Sequence, residues 1–437
     1  MARPRITDRN IWLIDGAIFI LGLAYGISLA LVGIYLDKKG YTKQDIGSLA
    51  ACFAMGIVAL SIPSGALIRR FSARVVLITS LFGYAAAVAA FPFCDSFLSI
   101  AAVRFWDGAF SVGIWVSCET ILLSRADKKN KAFITSLYAI SLACGYIIGP
   151  LVARAVVPAD NMAVGFMMSG VIASLAGLLV LLRLDPDKPY MEEGASPATE
   201  PAPPARSQGE GEPPVSAGPM SAKPLAPAGV PVPATALLWR IKTSCFATFS
   251  YGYFQASVVL FLPLFLMEKK GVTVEQTILI PAFFAGGMLL FSNVAGRLGD
   301  RYGHLALMRV LAVVGTLMVG SFVFIASYQV MCVAVFVAGA TLASISPVSL
   351  ALQGVVTPHR ELSRANGMYN VFYAAGMLLG PPISSRIYGA MGGGPMLYHL
   401  AALWAAFVVF TVVFFRDDPK ARGESTDPHG EHALDAP

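Results

Sequence analysis

Charge is what this sequence has least of. Asp, Glu, Lys and Arg make up 13% of its 437 residues, hydrophobic residues 56%, and the mean hydropathy is +0.67. Soluble domains carry roughly a quarter charged residues, so a soluble enzyme or nucleic-acid binder is excluded and a polytopic membrane protein is indicated. Cysteine is scarce too. Cys52, Cys94, Cys118, Cys144, Cys245 and Cys332 all sit inside apolar runs, where a thiol behaves as a small hydrophobe, so no disulfide framework or metal site is expected. No nucleophile motif or phosphate loop stands out; Gly392-Gly393-Gly394 lacks phosphate-binding spacing. An enzyme is not expected, nor a cofactor.

Long apolar runs are what remains. The first, at 11–36, is broken only by Asp15, and it exceeds the h-region of about 7–15 residues of a signal peptide; it reads as an uncleaved first span. Runs near the roughly 20 residues that cross a bilayer recur at 45–68, 74–93, 97–123, 133–156 and 162–183, then at 240–266, 277–298, 305–327, 329–356, 363–389 and 394–415. Twelve spans put both termini on one side. Of the 32 Lys and Arg, all but Arg104 and seven others (Lys38, Lys39, Lys43, Arg154, Lys269, Lys270, Arg386) fall on the face that holds the termini. That bias places the termini in the cytoplasm, and a bacterial inner membrane is the expected location.

Thirteen of the 28 prolines lie in residues 185–235 among Ala, Gly, Ser and Glu, a composition that cannot bury enough apolar surface to fold. The expected organisation is a six-helix bundle at 1–184, a disordered cytoplasmic linker at 185–235, a second six-helix bundle at 236–416 and a loose cytoplasmic tail at 417–437. The bundles are one unit written twice. A shift of 231 positions carries Gly65 onto Gly296, Lys38-Lys39-Gly40 onto Lys269-Lys270-Gly271, and Gly145, Gly149 and Pro150 onto Gly376, Gly380 and Pro381. Repeated six-helix units build a large class of secondary transporters.

The turn Gly296-Arg297-Leu298-Gly299-Asp300-Arg301-Tyr302-Gly303 resembles the loop signature G-x-x-x-D-R-x-G of the major facilitator superfamily. The resemblance implies that fold, alternating access, and a cytoplasmic latch around Gly296, Asp300, Arg301 and Gly303, with Arg360 or Arg364 as partner. The first-half copy (Gly65, Arg69, Arg70, with Arg125 nearby) departs from the pattern: Arg69 replaces the acid and Ser72 the second glycine. Arg125 facing Arg69 would be repelled unless Asp127 or Glu119 intervenes. Arg104, Asp107, Gly108 and Gly113 resemble the family's fourth-helix signature, and Gly145, Gly149 and Pro150 its antiporter motif, which implies export against protons. A purely architectural use of the glycines explains both copies equally well.

Arg104 lies deep in its span, where an arginine costs at least about 2.5 kcal/mol on insertion scales. Asp107 at i+3 is placed to pair with it, and Ser111, Trp115 and Glu119 continue one polar stripe. Asp15 is the other buried acid. A carboxylate in a low-dielectric cavity favours its neutral form and can exchange a proton as water access alternates, so Asp15, Arg104, Asp107 and Glu119 are the proton-coupling candidates. Snorkelling of Asp15, and simple neutralisation of Arg125 by Glu119, are the alternatives. The second half has no deeply buried charge; Tyr251, Gln255, Asn293, Tyr369, Asn370 and Tyr373, with Trp115 from the first half, are its expected substrate contacts, suited to a neutral or amphiphilic compound. The expected function is proton-gradient-driven export of a small amphiphile by a monomer in the lipid bilayer. Alternatives are a proton symporter importing a metabolite, a lipid flippase, or a scaffold that transports nothing.

Overall fold

The computed structural model describes residues 8–125, 131–186, 232–358 and 361–422. The 185–235 linker lies outside them from 187 to 231, and the tail beyond 422 does as well. Among the described residues twelve long helices are formed, six in each half. The first half holds α1 (Arg9–Lys38), α2 (Lys43–Phe71), α3 (Ala73–Ala90), α4 (Phe97–Arg125), α5 (Lys131–Val156) and α6 (Ala163–Arg183). The second holds α7 (Ala234–Lys270), α8 (Ile280–Tyr302), α9 (His304–Ser321), α10 (Tyr328–Val356), α11 (Leu362–Met391) and α12 (Gly393–Val413). Eleven contain a stretch long and apolar enough to cross a membrane. The twelfth is α11, diluted by Arg364, Asn366, Asn370, Ser384, Ser385 and Arg386.

The duplication seen in the sequence is also present in the geometry. Gly40 and Gly271, 231 positions apart, both take positive φ (85° and 62°) to end α1 and α7, a conformation that costs glycine nothing. Thr42 and Asp45 form a capping box at the start of α2, and Thr273 and Gln276 form its counterpart before α8. Each half then packs by the same rule: α1 on α5 and α7 on α11, α2 on α4 and α8 on α10, α3 on α6 and α9 on α12. Gly145 and Gly149 of α5 press against Gly22 and Gly26 of α1, so closely that a Cβ on Gly149 would lie 2.6 Å from the Leu23 carbonyl oxygen. Within a bilayer such close backbone approach supplies the dispersion that hydrophobic burial cannot. The copies at Gly376 and Gly380 meet the α7 backbone at Phe249 and Tyr253.

Each half is closed at the end that carries the termini by the segment after its last helix. Asp185 accepts from Asn10 Nδ2 (2.9 Å) while its own N–H donates back to Asn10 Oδ1 (3.0 Å). In the second half Asp417 receives Lys242 Nζ (2.7 Å) and Thr243 Oγ1 (2.6 Å), and Asp418 caps α9 by accepting from Leu305 N–H (2.9 Å). The expectation that the chain is loose after Arg416 is therefore corrected for 417–422: these residues are docked by two carboxylates that find donors on α7 and α9. Local composition carries no mark of that pairing, since the partners lie more than 100 positions away.

Candidate functional site

At about the middle of the helices the two halves enclose a cavity of about 140 Å³. Its first-half wall is aromatic: Tyr25 of α1 stacks with Tyr146 of α5 (ring centroids 5.9 Å) and packs on Tyr84 of α3 (4.7 Å) and Trp115 of α4 (6.4 Å). Arg104 and Asp107 join it from α4 and form an ion pair, with the guanidinium 4.5 Å from the centre of the Phe53 ring on α2. The second half contributes Gln255 and Val259 of α7 and Tyr373 of α11, whose hydroxyl donates to Gln255 Oε1 (2.9 Å). The close packing that aims these residues is again made by small side chains. Gly56 leaves no room for a Cβ beside the α4 backbone at Phe105 and Ala109, and Gly108 in turn meets Phe53.

Several expected site residues fall here. Arg104, Asp107, Trp115, Gln255 and Tyr373 all line the cavity. Ser111, on the same stripe, turns its hydroxyl to the Asp107 carbonyl (2.7 Å). Tyr251 lies behind Tyr373, stacked at 6.1 Å, and directs its hydroxyl to Met288 Sδ. Tyr369 is committed elsewhere, bonding Ser349 Oγ at 2.9 Å and the Ser346 carbonyl at 3.0 Å, which ties α11 to α10. Asn370 is exposed, and the side chain of Asn293 lies outside the described ones. The residues that sequence reasoning missed are Tyr25, Ser28, Phe53, Tyr84 and Tyr146; their only signal is a hydroxylated or aromatic residue inside an apolar run.

The other acids lie toward the terminal end. Asp15 is 4% exposed and neither carboxylate oxygen has a partner. Cys118 of α4 and Tyr138 of α5 lie near it, and both also lie near Glu119. Glu119 itself is exposed.

The residues expected to form a latch are also placed. Asp300 is three-quarters exposed, with His304 Nε2 at 3.2 Å, and its backbone carbonyl accepts from Lys420. Arg364 instead reaches the Val232 carbonyl (2.7 Å) and Glu361, and Arg360 lies outside the described residues, as does Asp127. Arg301 leans on the Tyr302 ring, while Gly303 has φ 101° with Asp418 beside it. Gly296 has open space where a Cβ would stand. Arg69 and Arg70 are exposed, near Gly65 and Phe71 respectively. Arg125 meets neither of them. It donates to Asp8 Oδ2 (3.3 Å) and to the Pro186 carbonyl (2.8 Å), so a carboxylate partner is supplied from ahead of α1. Burial works against the Asp8 carboxylate, but hydrogen bonds from Asn10 and the Arg125 guanidinium outweigh it and hold its carboxyl below the ordinary 3.8.

Among the described residues, several contacts that join the halves lie at the far end. Lys43 reaches Glu268, Gly47 abuts Pro381 and Ser385, and Gly33 abuts Leu260.

The family model described as Major Facilitator Superfamily matches residues 14–243 and 244–435. The MFS-type transporter YcaD of Shigella flexneri serotype 5b is 24% identical over 379 residues, covering 87% of this chain and 89% of that protein. Its Escherichia coli O139:H28 counterpart matches to the same extent. Among solved structures, the nucleoside transporter NupG aligns with a TM-score of 0.72 at 14% identity, over 94% of this chain and 99% of that one. A bacterial homologue of the human lysosomal transporter Spinster aligns with a TM-score of 0.70 at 13% identity, over 95% and 96%. With a family match over nearly its whole length and the two-bundle fold around a central cavity, this chain belongs to the major facilitator superfamily of secondary transporters.

Proposed function

We propose that this transporter carries a small amphiphilic compound across the membrane by alternating access, coupled to protons taken up by buried carboxylates. One observation supports this above others: the ion pair Arg104–Asp107 sits in an otherwise uncharged, largely apolar cavity bounded by both halves. A charge in mid-span is retained where it serves an ion or substrate path. The far-end contacts between the halves fit a carrier facing the side that holds its termini, which the distribution of Lys and Arg makes the cytoplasm. In the opposite state the exposed turn at Asp300 would close on the other half and act as the latch.

Export is the direction that the fifth-span motif implies. Uptake by proton symport is the second reading, and Arg104 favours it, because a cation in the cavity suits a charged metabolite better than a neutral one. Glycine packing does not separate the two, since Gly145 and Gly149 are occupied by α1.

The test is proton movement in proteoliposomes that carry an internal pH dye, with wild type beside Asp107→Asn and Glu119→Gln. Supporting the proposal would be a compound that dissipates an imposed pH gradient through wild type and not through Asp107→Asn. Substrate flux that is unchanged in Asp107→Asn would remove proton coupling at that residue. Absence of any flux, with intact folding, would favour a scaffold.

A further inference from the structure

Apart from the tyrosine and serine hydroxyls, which can donate or accept, the hydrogen-bonding side chains that line the central cavity offer mainly donors. Arg104 carries five N–H donors and no acceptor, and its ion pair engages one terminal nitrogen with Asp107 Oδ2. Gln255 accepts from Tyr373 through Oε1, which leaves both amide N–H groups for something else. Trp115 Nε1, a donor only, has no partner but is without accessible surface, so it offers nothing to a ligand in the cavity as it stands. On the acceptor side, Asp107 Oδ1 is sealed from the cavity, without accessible surface or a hydrogen bond. The charge that a ligand meets is therefore the guanidinium, whose side chain is 12% exposed against 7% for the aspartate beneath it. A cation–π contact with Phe53, at 4.5 Å from the ring centre, helps to hold it in place. Around it the walls are apolar, with Val88, Phe91, Phe166 and Leu260.

Resting on the reading of this cavity as the substrate site, we infer that it takes an amphiphilic monoanion, a carboxylate on an apolar or aromatic body, and that protonation of Asp107 admits it. While Asp107 is ionised it neutralises Arg104, and a second carboxylate would be repelled. Once Asp107 accepts a proton from the side to which the cavity is open, the guanidinium is released to form a charge-assisted bond with the ligand. Opening to the other side lets both leave: the anion from Arg104, the proton from Asp107. Proton and anion occupy the same state and cross together, as a symporter requires. The groups facing this pair from neighbouring helices are Tyr25 of α1, Cys52 of α2, Tyr84 of α3 and Tyr146 of α5. None of them carries a charge near neutral pH, so the pair answers chiefly to itself and to the ligand.

Three compounds of one shape test this on the full-length protein in lipid nanodiscs: phenylbutyrate, its amide and its amine. Binding is read by tryptophan fluorescence in mildly acidic and mildly alkaline buffer. Phenylbutyrate is expected to bind roughly tenfold or more tighter than either analogue, the worth of a hydrogen bond to a charged group, and more tightly in acid. Asp107→Asn should keep that preference and lose the dependence on pH. Arg104→Gln should abolish the preference, and Arg104→Lys should restore part of it, which separates loss of the charge from loss of the fold. Preference for the amine, binding of none of the three, or a carboxylate preference that survives Arg104→Gln overturns the inference. Carboxylate binding that needs Arg104, without proton-linked flux, would leave the anion site standing and overturn both the joint crossing and the coupled-transport reading; proton-linked flux of the amine would overturn the anion site and leave coupled transport standing.

Discussion

Lys43 Nζ lies 2.6 Å from Glu268 Oε1 and ties α2 of the first half to α7 of the second. The same ammonium is 2.5 Å from Asp37, and Tyr388 donates to the other Glu268 oxygen at 2.7 Å. Two carboxylates share one cation at the end where the halves meet, so rocking the bundles apart there must break this bond. A partly exposed pair is worth up to about 1 kcal/mol, enough to shift a two-state balance about fivefold. Glu268→Gln is expected to favour opening of the far end. A cysteine at Gln44 should then react about fivefold faster with an impermeant maleimide, and exchanging the charges as Lys43→Glu with Glu268→Lys, with Asp37→Asn to remove the acid beside position 43, should restore the slow rate. Equal rates in all three proteins would show that the bond does not hold the halves together.

Packing of α5 on α1 leaves no space at Gly149. Gly149→Val should destabilise the protein by about 1–3 kcal/mol or more through forced separation of two backbones. Gly296→Ala, at a position with open space around it, should leave the melting temperature unchanged. Thermal unfolding in detergent, followed by exposure of buried cysteines, checks both.

Ser72 ends α2 with φ 80° and ψ 151°, a region that side chains avoid, and its repeat partner Gly303 has φ 101° and ψ 133°. Strain of that kind costs about 1–3 kcal/mol, while the Ser72 hydroxyl returns part of it by capping Val75 N–H. Ser72→Gly is therefore expected to stabilise the protein by about 1 kcal/mol. A lower melting temperature for the variant would mean that the cap outweighs the strain.

Asp8 and Arg125 set a pH dependence of stability. Because the Asp8 carboxyl is held below its ordinary 3.8, the folded state binds the proton less readily than the unfolded one. The contribution is present above the unfolded value and is lost as pH falls through the folded one. Wild type should thus exceed Asp8→Asn in stability at neutral pH, with the difference closing only below about pH 4. A difference that closes between neutrality and pH 5 would assign the effect to another group.

The spans were legible because a bilayer imposes a length and a composition on every helix, and the duplication was legible because the same 231-position shift governs motifs and packing alike. Arg104 and Asp107 stood out as charges in an apolar run, and the structure puts both on the cavity. The tyrosines did not. Tyr25, Tyr84 and Tyr146 converge from three helices, and no local pattern distinguishes a tyrosine that faces a cavity from one that faces lipid. The same limit hid the partner of Arg125, since Asp8 is 117 positions away, and the docking of Asp417 on Lys242.

Those dockings bear on what joins the two bundles. Each bundle is finished by its own closing segment, Asp185 on Asn10 in one and Asp417 on Lys242 in the other. A break in the chain between Pro186 and Val232 would leave both closures whole. Neither closure therefore draws on the chain that links the halves, and what holds one half against the other is direct contact such as that of Lys43 with Glu268.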